Sequence, residues 1–152
     1  MTEAFAGQIQ KIGENIKLVG VQRVSGASVS GYNHAGRIGA LVAGSGDAAK
    51  LKQVALHVAS ANPAPVALDR SSVDPAVVAK EREIIAATPD VQAKPEAMRP
   101  KIVEGKLGRF FKEQVLLEQE MLFDAEKGES VEKYAKRVGI TVSAFSRLQV
   151  GA

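Results

Sequence analysis

The sequence predicts an α+β protein: a small antiparallel sheet of three to four strands covered by helices, with an antiparallel helical hairpin protruding from it. Three observations carry this expectation. Three short strand-like runs follow one another between residues 16 and 43, separated by turns that contain glycine. Two stretches with helical spacing, 75–88 and 95–115, are joined by a loop that opens on Pro89. The final stretch, 140–150, returns to the alternation of a strand. These divide one structural domain into a sheet-and-helix core (1–73), a hairpin (74–118) and a return to the core with the last strand (119–152).

The totals fit such a domain. The chain has 152 residues, 45% of them hydrophobic and 24% charged, enough to bury a core and too apolar to stay disordered. No cysteine is present, which excludes disulfides, thiolate metal sites and cysteine nucleophiles, and which fits a reducing cytoplasm. The net charge of +3 is mild, and the basic residues are interleaved with acidic ones, so no nucleic-acid footprint is expected. Trp is absent and only five Phe and two Tyr occur, which argues against base stacking. No apolar run approaches the ~18–20 residues of a membrane span, and the N-terminal residues carry no secretory pattern.

Taken in order, residues 3–12 read as a short helix with Phe5, Ile9 and Ile12 on one side. Residues 16–24 read as a strand whose apolar set changes phase between Leu18 and Val19, so a bulge is expected near Gly20. Ser25-Gly26 turns into a weaker strand, 27–33. His34-Ala35-Gly36 turns into a third, 37–43, with Ile38, Ala40 and Val42 on one face and Leu41 on the other. Asp47 is placed to cap a helix over 48–61, in which Leu51, Val54, Ala55, Val58 and Ala59 form an apolar stripe. Asn62-Pro63 stops it. A connector follows, with an extended piece at 66–68.

Asp74-Pro75 then starts the first arm of the hairpin, which gathers Val77, Val78, Ile84 and Ile85. In the second arm, Val103, Leu107, Phe110 and Phe111 recur at helical spacing, and Pro100 marks where the regular helix begins or bends. The two arms should pack as a short antiparallel coiled coil. Gly105 and Gly108 lie inside the second arm, where each costs up to ~1 kcal/mol relative to alanine; they are expected to be its close-packing points against residues 75–88. Residues 115–123 are ambiguous. Ser130 should cap a helix over 131–138 that ends at Gly139. The last strand sets Ile140, Val142, Ala144, Leu148 and Val150 on one face, with Phe145 and Arg147 on the other.

Chemistry is hard to find. His34 and His57 lie on different elements without metal-binding spacing, and a lone histidine is more often structural or superficial than a ligand. No serine sits in a GxSxG elbow. The glycines around G-Y-N-H-A-G-R-I-G match neither a Walker loop nor a dinucleotide fingerprint, so they read as turn glycines. Glu81 and Glu83 read as helix surface. No catalytic residue, metal or cofactor is expected.

The order of short motifs is more specific than any one of them. I-G-E-N-I at 12–16 is followed by Y-N-H-A-G-R-I-G-A-L-V at 32–42 and V-A-L-H-V-A-S-A-N-P at 54–63. Then come Glu81-Arg82, Lys94-Pro95, K-I-V-E-G-K-L at 101–107, L-L-E-Q at 116–119 and F-S-R-L-Q-V-G at 145–151. In this order, over roughly residues 10–151, the chain resembles the elongation factor Ts family, specifically the C-terminal half of its core with the coiled-coil hairpin. Two parts of the family pattern do not occur in these residues: the N-terminal three-helix module, and a T-D-F-V-A type segment that wedges into the partner. Arg147 matches the family's F-x-R-F, whereas Leu148 stands at its second aromatic.

The resemblance implies a non-enzymatic factor that binds elongation factor Tu and promotes exchange of GDP for GTP in protein synthesis. It implies contacts to the partner's third domain from the turn at Tyr32, His34, Gly36 and Arg37, with His57 as a further candidate. A homodimer is the other protein partner it admits. Two alternatives stay open: a module that holds elongation factor Tu or dimerises without exchange, and a small ribosome- or RNA-associated protein.

Overall fold

The computed structural model describes residues 2–14, 18 and 20–151. It is an α+β fold whose three strands, β1 (Ser28–His34), β2 (Ile38–Ser45) and β3 (Thr141–Gln149), form an antiparallel sheet in the order β1-β2-β3. Ala35 and Gly36 both take left-handed φ values, 51° and 71°, and Arg37 N–H donates to His34 C=O at 3.0 Å. Three residues, 35–37, join the paired His34 and Ile38, and the two left-handed ones among them give the turn the twist that an antiparallel pair needs.

The described residues of the strand expected over 16–24 add no fourth member to this sheet. Residues 15–17 and 19 lie outside the described residues, and residues 20–24 make no ladder. Leu18 and Val21 are exposed. Gln22 instead meets the sheet side chain to side chain, accepting a hydrogen bond from Ser146. With no ladder at residues 20–24, the bulge expected near Gly20 is not found there among the described residues; an unforeseen one lies on β3, where the register runs Ala43↔Ala144 and then Gly44↔Val142, leaving Ser143 as an extra residue. One inserted residue flips the faces. Val142 therefore joins Phe145 on the core side and is not on the face of Ala144 and Leu148. The bulge also explains Gly44, because a Cβ there would lie 1.8 Å from the Thr141 carbonyl oxygen.

Helix α1 (Thr2–Ile12) precedes the sheet, and α2 (Ala48–Ser60) crosses one face of it. Asp47 Oδ1 accepts from Ala49 N–H at 2.7 Å, the expected cap. Leu51, Val54, Ala55 and Val58 are fully buried against Ala40 and Val42 of β2. Helix α6 (Val131–Val138), capped by Ser130 and closed by Gly139 at φ 72°, adds Val131 and Tyr134 to the same core.

The hairpin is formed by α3 (Pro75–Ala87), the single turn α4 (Pro89–Gln92) and α5 (Arg99–Gln114). Regular helix begins at Arg99, with Pro100 in the first turn where a missing N–H costs nothing. Ile85, Val91, Val103 and Leu107 form a second core, flanked by Val78 and Phe110. Two of the expected arm contacts are not made: Val77 is 47% exposed and Ile84 is 52% exposed. Val78 and Ile85, seven residues apart, define the buried line, and their predecessors lie ~100° further round the helix. Gly105 and Gly108 are not packing points either. A Cβ at either would meet nothing within 4 Å. Ion pairs Arg82–Glu104 and Lys106–Asp90 cross the hairpin.

Ala67, Val73 and Val115 make a third cluster that joins the hairpin's base to the core, through a parallel bridge between Ala67 and Val115. The ambiguous stretch after it is a single turn, Leu116–Glu118, followed by an extended segment that bridges Glu120 to Ser130. Arg137 holds the following corner by donating from Nε and Nη2 to the two carboxylate oxygens of Glu129, keeping that carboxyl's pKa down at about 2. Among the described residues no helix is long and apolar enough to cross a membrane.

Candidate functional site

The β1–β2 turn carries four of the five residues singled out from sequence. Tyr32 is half-buried against the core, while His34, Gly36 and Arg37 are exposed at the tip. The tip is fastened on both sides. Asn33 Oδ1 accepts from Gly36 N–H at 2.8 Å, and Arg37 C=O accepts from Val150 N–H at 2.8 Å. The Tyr32 hydroxyl lies 3.2 Å from His34 Nδ1, which fixes the imidazole and leaves Nε2 without a partner among the described residues. Strand alternation places Tyr32 and His34 on one face, and the left-handed turn projects Gly36 and Arg37 beyond the sheet.

His34 also forms one wall of a cleft. Ile38, Arg147 and Gln149 continue that wall, and the end of α2 with its following loop, from Ala59 to Asn62, forms the other. Arg147 stands opposite Ala40 in the β2–β3 register, on the face that α2 covers. It donates from Nη2 to Gln149 Oε1 at 2.9 Å.

His57, the fifth residue, is placed differently. It is only 1% exposed, on the buried stripe of α2. Leu122 N–H donates to its Nδ1 at 3.3 Å, so Nε2 carries the proton and donates to Gln119 Oε1 at 3.0 Å. Gln119 Nε2 in turn donates to the Pro63 and Glu113 carbonyls at 2.9 and 2.7 Å. Burial pushes the imidazole's pKa below its ordinary value, and the Gln119 bond opposes this only in part. His57 is thus a neutral, satisfied group under the surface. It remains linked to the turn: Ala61 and Asn62 border both the cleft beside His34 and the depression over His57.

The structure adds Arg147, Gln149 and Gln119 to the residues that matter here. Arg147 was legible as a polar residue sharing the face of Phe145, but the strand that it lies against is about a hundred residues earlier in the chain. Gln119 lay in a stretch with no decisive period. Among the described residues no three His, Asp or Glu side chains are grouped as a metal site.

The family model described as Elongation factor TS matches residues 1–152. The chain is similar to elongation factor Ts of Cellvibrio japonicus, 42% identical over 147 residues, covering 94% of this chain and 49% of that protein. It is also similar to elongation factor Ts of Alcanivorax borkumensis, 40% identical over 151 residues (98% and 52%), and of Psychrobacter arcticus, 38% identical over 150 residues (98% and 50%). The chain spans about half the length of the curated relatives it matches.

Proposed function

The chain belongs to the elongation factor Ts family, and from that premise we propose that it binds elongation factor Tu through the tip of the β1–β2 hairpin. In the whole protein this binding promotes release of GDP and entry of GTP during translation elongation in the cytoplasm, with no chemical step of its own. A factor that binds the nucleotide-free form of its partner best shifts the partner toward release, and by linkage the nucleotide weakens the factor to the same extent. The observation that carries the reading is the tip itself, where His34, Gly36 and Arg37 are exposed on a turn anchored at both ends. Preorganised exposed groups lose little entropy on docking.

Calorimetric titration of His34→Ala against elongation factor Tu tests this. Affinity should fall about tenfold, with the circular dichroism spectrum unchanged. Equal affinity in a folded variant removes the assignment. This chain alone should also release GDP from elongation factor Tu more slowly than a full-length relative in stopped flow; equal rates would refute that division of labour.

One observation favours a second reading, a dimerisation module without exchange activity. The sheet face away from α2 leaves Val29, Leu41 and Leu148 exposed at 45%, 38% and 43%. Sedimentation equilibrium of Leu41→Lys beside the unaltered chain decides it: a dimer lost on substitution supports this reading, and a monomer in both removes it.

A further inference from the structure

We infer that Arg147 receives a carboxylate side chain of the protein that docks on the hairpin tip, so that the cleft beside His34 is a specific acid-binding pocket within the interface. The inference rests on the docking reading above and assigns its electrostatic anchor.

The arginines of the chain are otherwise accounted for. Arg70, Arg82, Arg109 and Arg137 pair with carboxylates. Arg99 donates to the Gln92 and Lys94 carbonyls. Arg23 and Arg37 are exposed to water. Arg147 alone among the described arginines is partly buried with neither a carboxylate nor a backbone carbonyl as acceptor. Its Nε is shut off from solvent and has no partner among the described residues. Among the described residues its one hydrogen bond goes to a neutral amide, Gln149. A guanidinium has five N–H donors in a planar fork that matches a carboxylate in two places. Withholding acceptors from such a group destabilises the free protein, and an acid bound at the outer guanidinium nitrogens offsets that penalty with charge-assisted bonds.

The surroundings select the ligand class. The far wall is neutral: Ala59, Ser60, Ala61 and Asn62. His34 adds the ring nitrogen Nε2 on the same side as Arg147. One arginine and one imidazole on one wall of the cleft match a single carboxylate. A nucleic-acid backbone would call for a row of cations and stacking aromatics, and neither borders this cleft. The exposed carbonyl end of α2 also favours a cation here. That alone would make Arg147 a structural residue, so the test must separate stability from binding.

The experiment titrates elongation factor Tu into the unaltered chain, R147Q, R147K and H34A at low and moderate salt, with thermal melts of each. R147Q should bind at least tenfold more weakly and with less salt dependence. R147K, which keeps the charge but not the fork, should fall between. R147E should be rescued by an Asp→Lys or Glu→Lys substitution at one position on the partner's docking face. If R147Q binds as tightly as the unaltered chain while His34→Ala weakens binding, the carboxylate pocket is wrong and the docking surface stands. If no substitution changes the affinity, both are wrong. Should R147Q fail to fold, R147K and the charge-reversal pair decide: normal affinity for R147K with no rescuing position overturns the inference.

Discussion

Replacing Gln119 by leucine should cost about 3–5 kcal/mol of stability while leaving the core's volume nearly unchanged. Gln119 is 6% exposed and joins three segments at once: it accepts from His57 on α2, and donates to the Pro63 carbonyl and to the Glu113 carbonyl at the end of α5. Each of these bonds contributes about 1 kcal/mol net, and leaving the buried His57 Nε2–H without an acceptor adds a further ~1–2 kcal/mol. Leucine fills similar space, so the cavity contribution that accompanies truncation is small. A domain of this size has about 5–15 kcal/mol in total. The variant should therefore still fold, with a much lower urea midpoint and an unchanged slope. A midpoint shift worth less than about 1 kcal/mol would refute the account, because it would mean that the network contributes little to the folded state.

Two further outcomes follow from the same geometry. His57 has a folded-state pKa below its ordinary value of about 6.5, so the unfolded chain binds its proton first. Its contribution to stability is complete above about pH 6.5 and declines as pH falls toward the folded value, with a slope of at most ~1.4 kcal/mol per pH unit. Urea midpoints across this window, together with an NMR titration of the ring, check it; titration at or above 6.5 would contradict it. Gly105→Ala and Gly108→Ala should each stabilise the hairpin by about 0.5–1 kcal/mol, since a Cβ has open space at both positions. A lower thermal midpoint for either would show that α5 needs its glycines.

What the sequence disclosed and what it withheld divide by distance along the chain. The stripe of α2 and the caps at Asp47, Asp74 and Ser130 are set by residues within a turn or two and are read directly, whereas the second arm, expected from residue 95, becomes regular helix only at Arg99. The phase of β3 is not, because the bulge at Ser143 is fixed by a pairing with Gly44. The two helix glycines show the same division. Their local cost is plain from position, yet no local pattern tells whether a neighbour approaches, and here none does. The site divides likewise. The tip is written in six consecutive residues, 32–37, whereas the cleft exists only because β3 returns beside β2 and α2 ends above it.

His57 shows why this matters for interpreting mutants. It lies below Ala61 and Asn62, and its partner Gln119 holds the Pro63 carbonyl, so the network positions the loop that walls the cleft. Substituting His57 can therefore weaken partner binding without His57 ever touching the partner. A double-mutant cycle separates the two cases. If His57 acts through the loop, its substitution should couple strongly with Gln119→Leu, with the joint loss of affinity little greater than either alone. If the imidazole reaches the partner directly, Gln119→Leu would leave much of its contribution in place and the losses would approach a sum. The burial of His57 and the two bonds that satisfy its ring favour the first outcome, which makes it a positioning residue for a surface that His34 and Arg147 present.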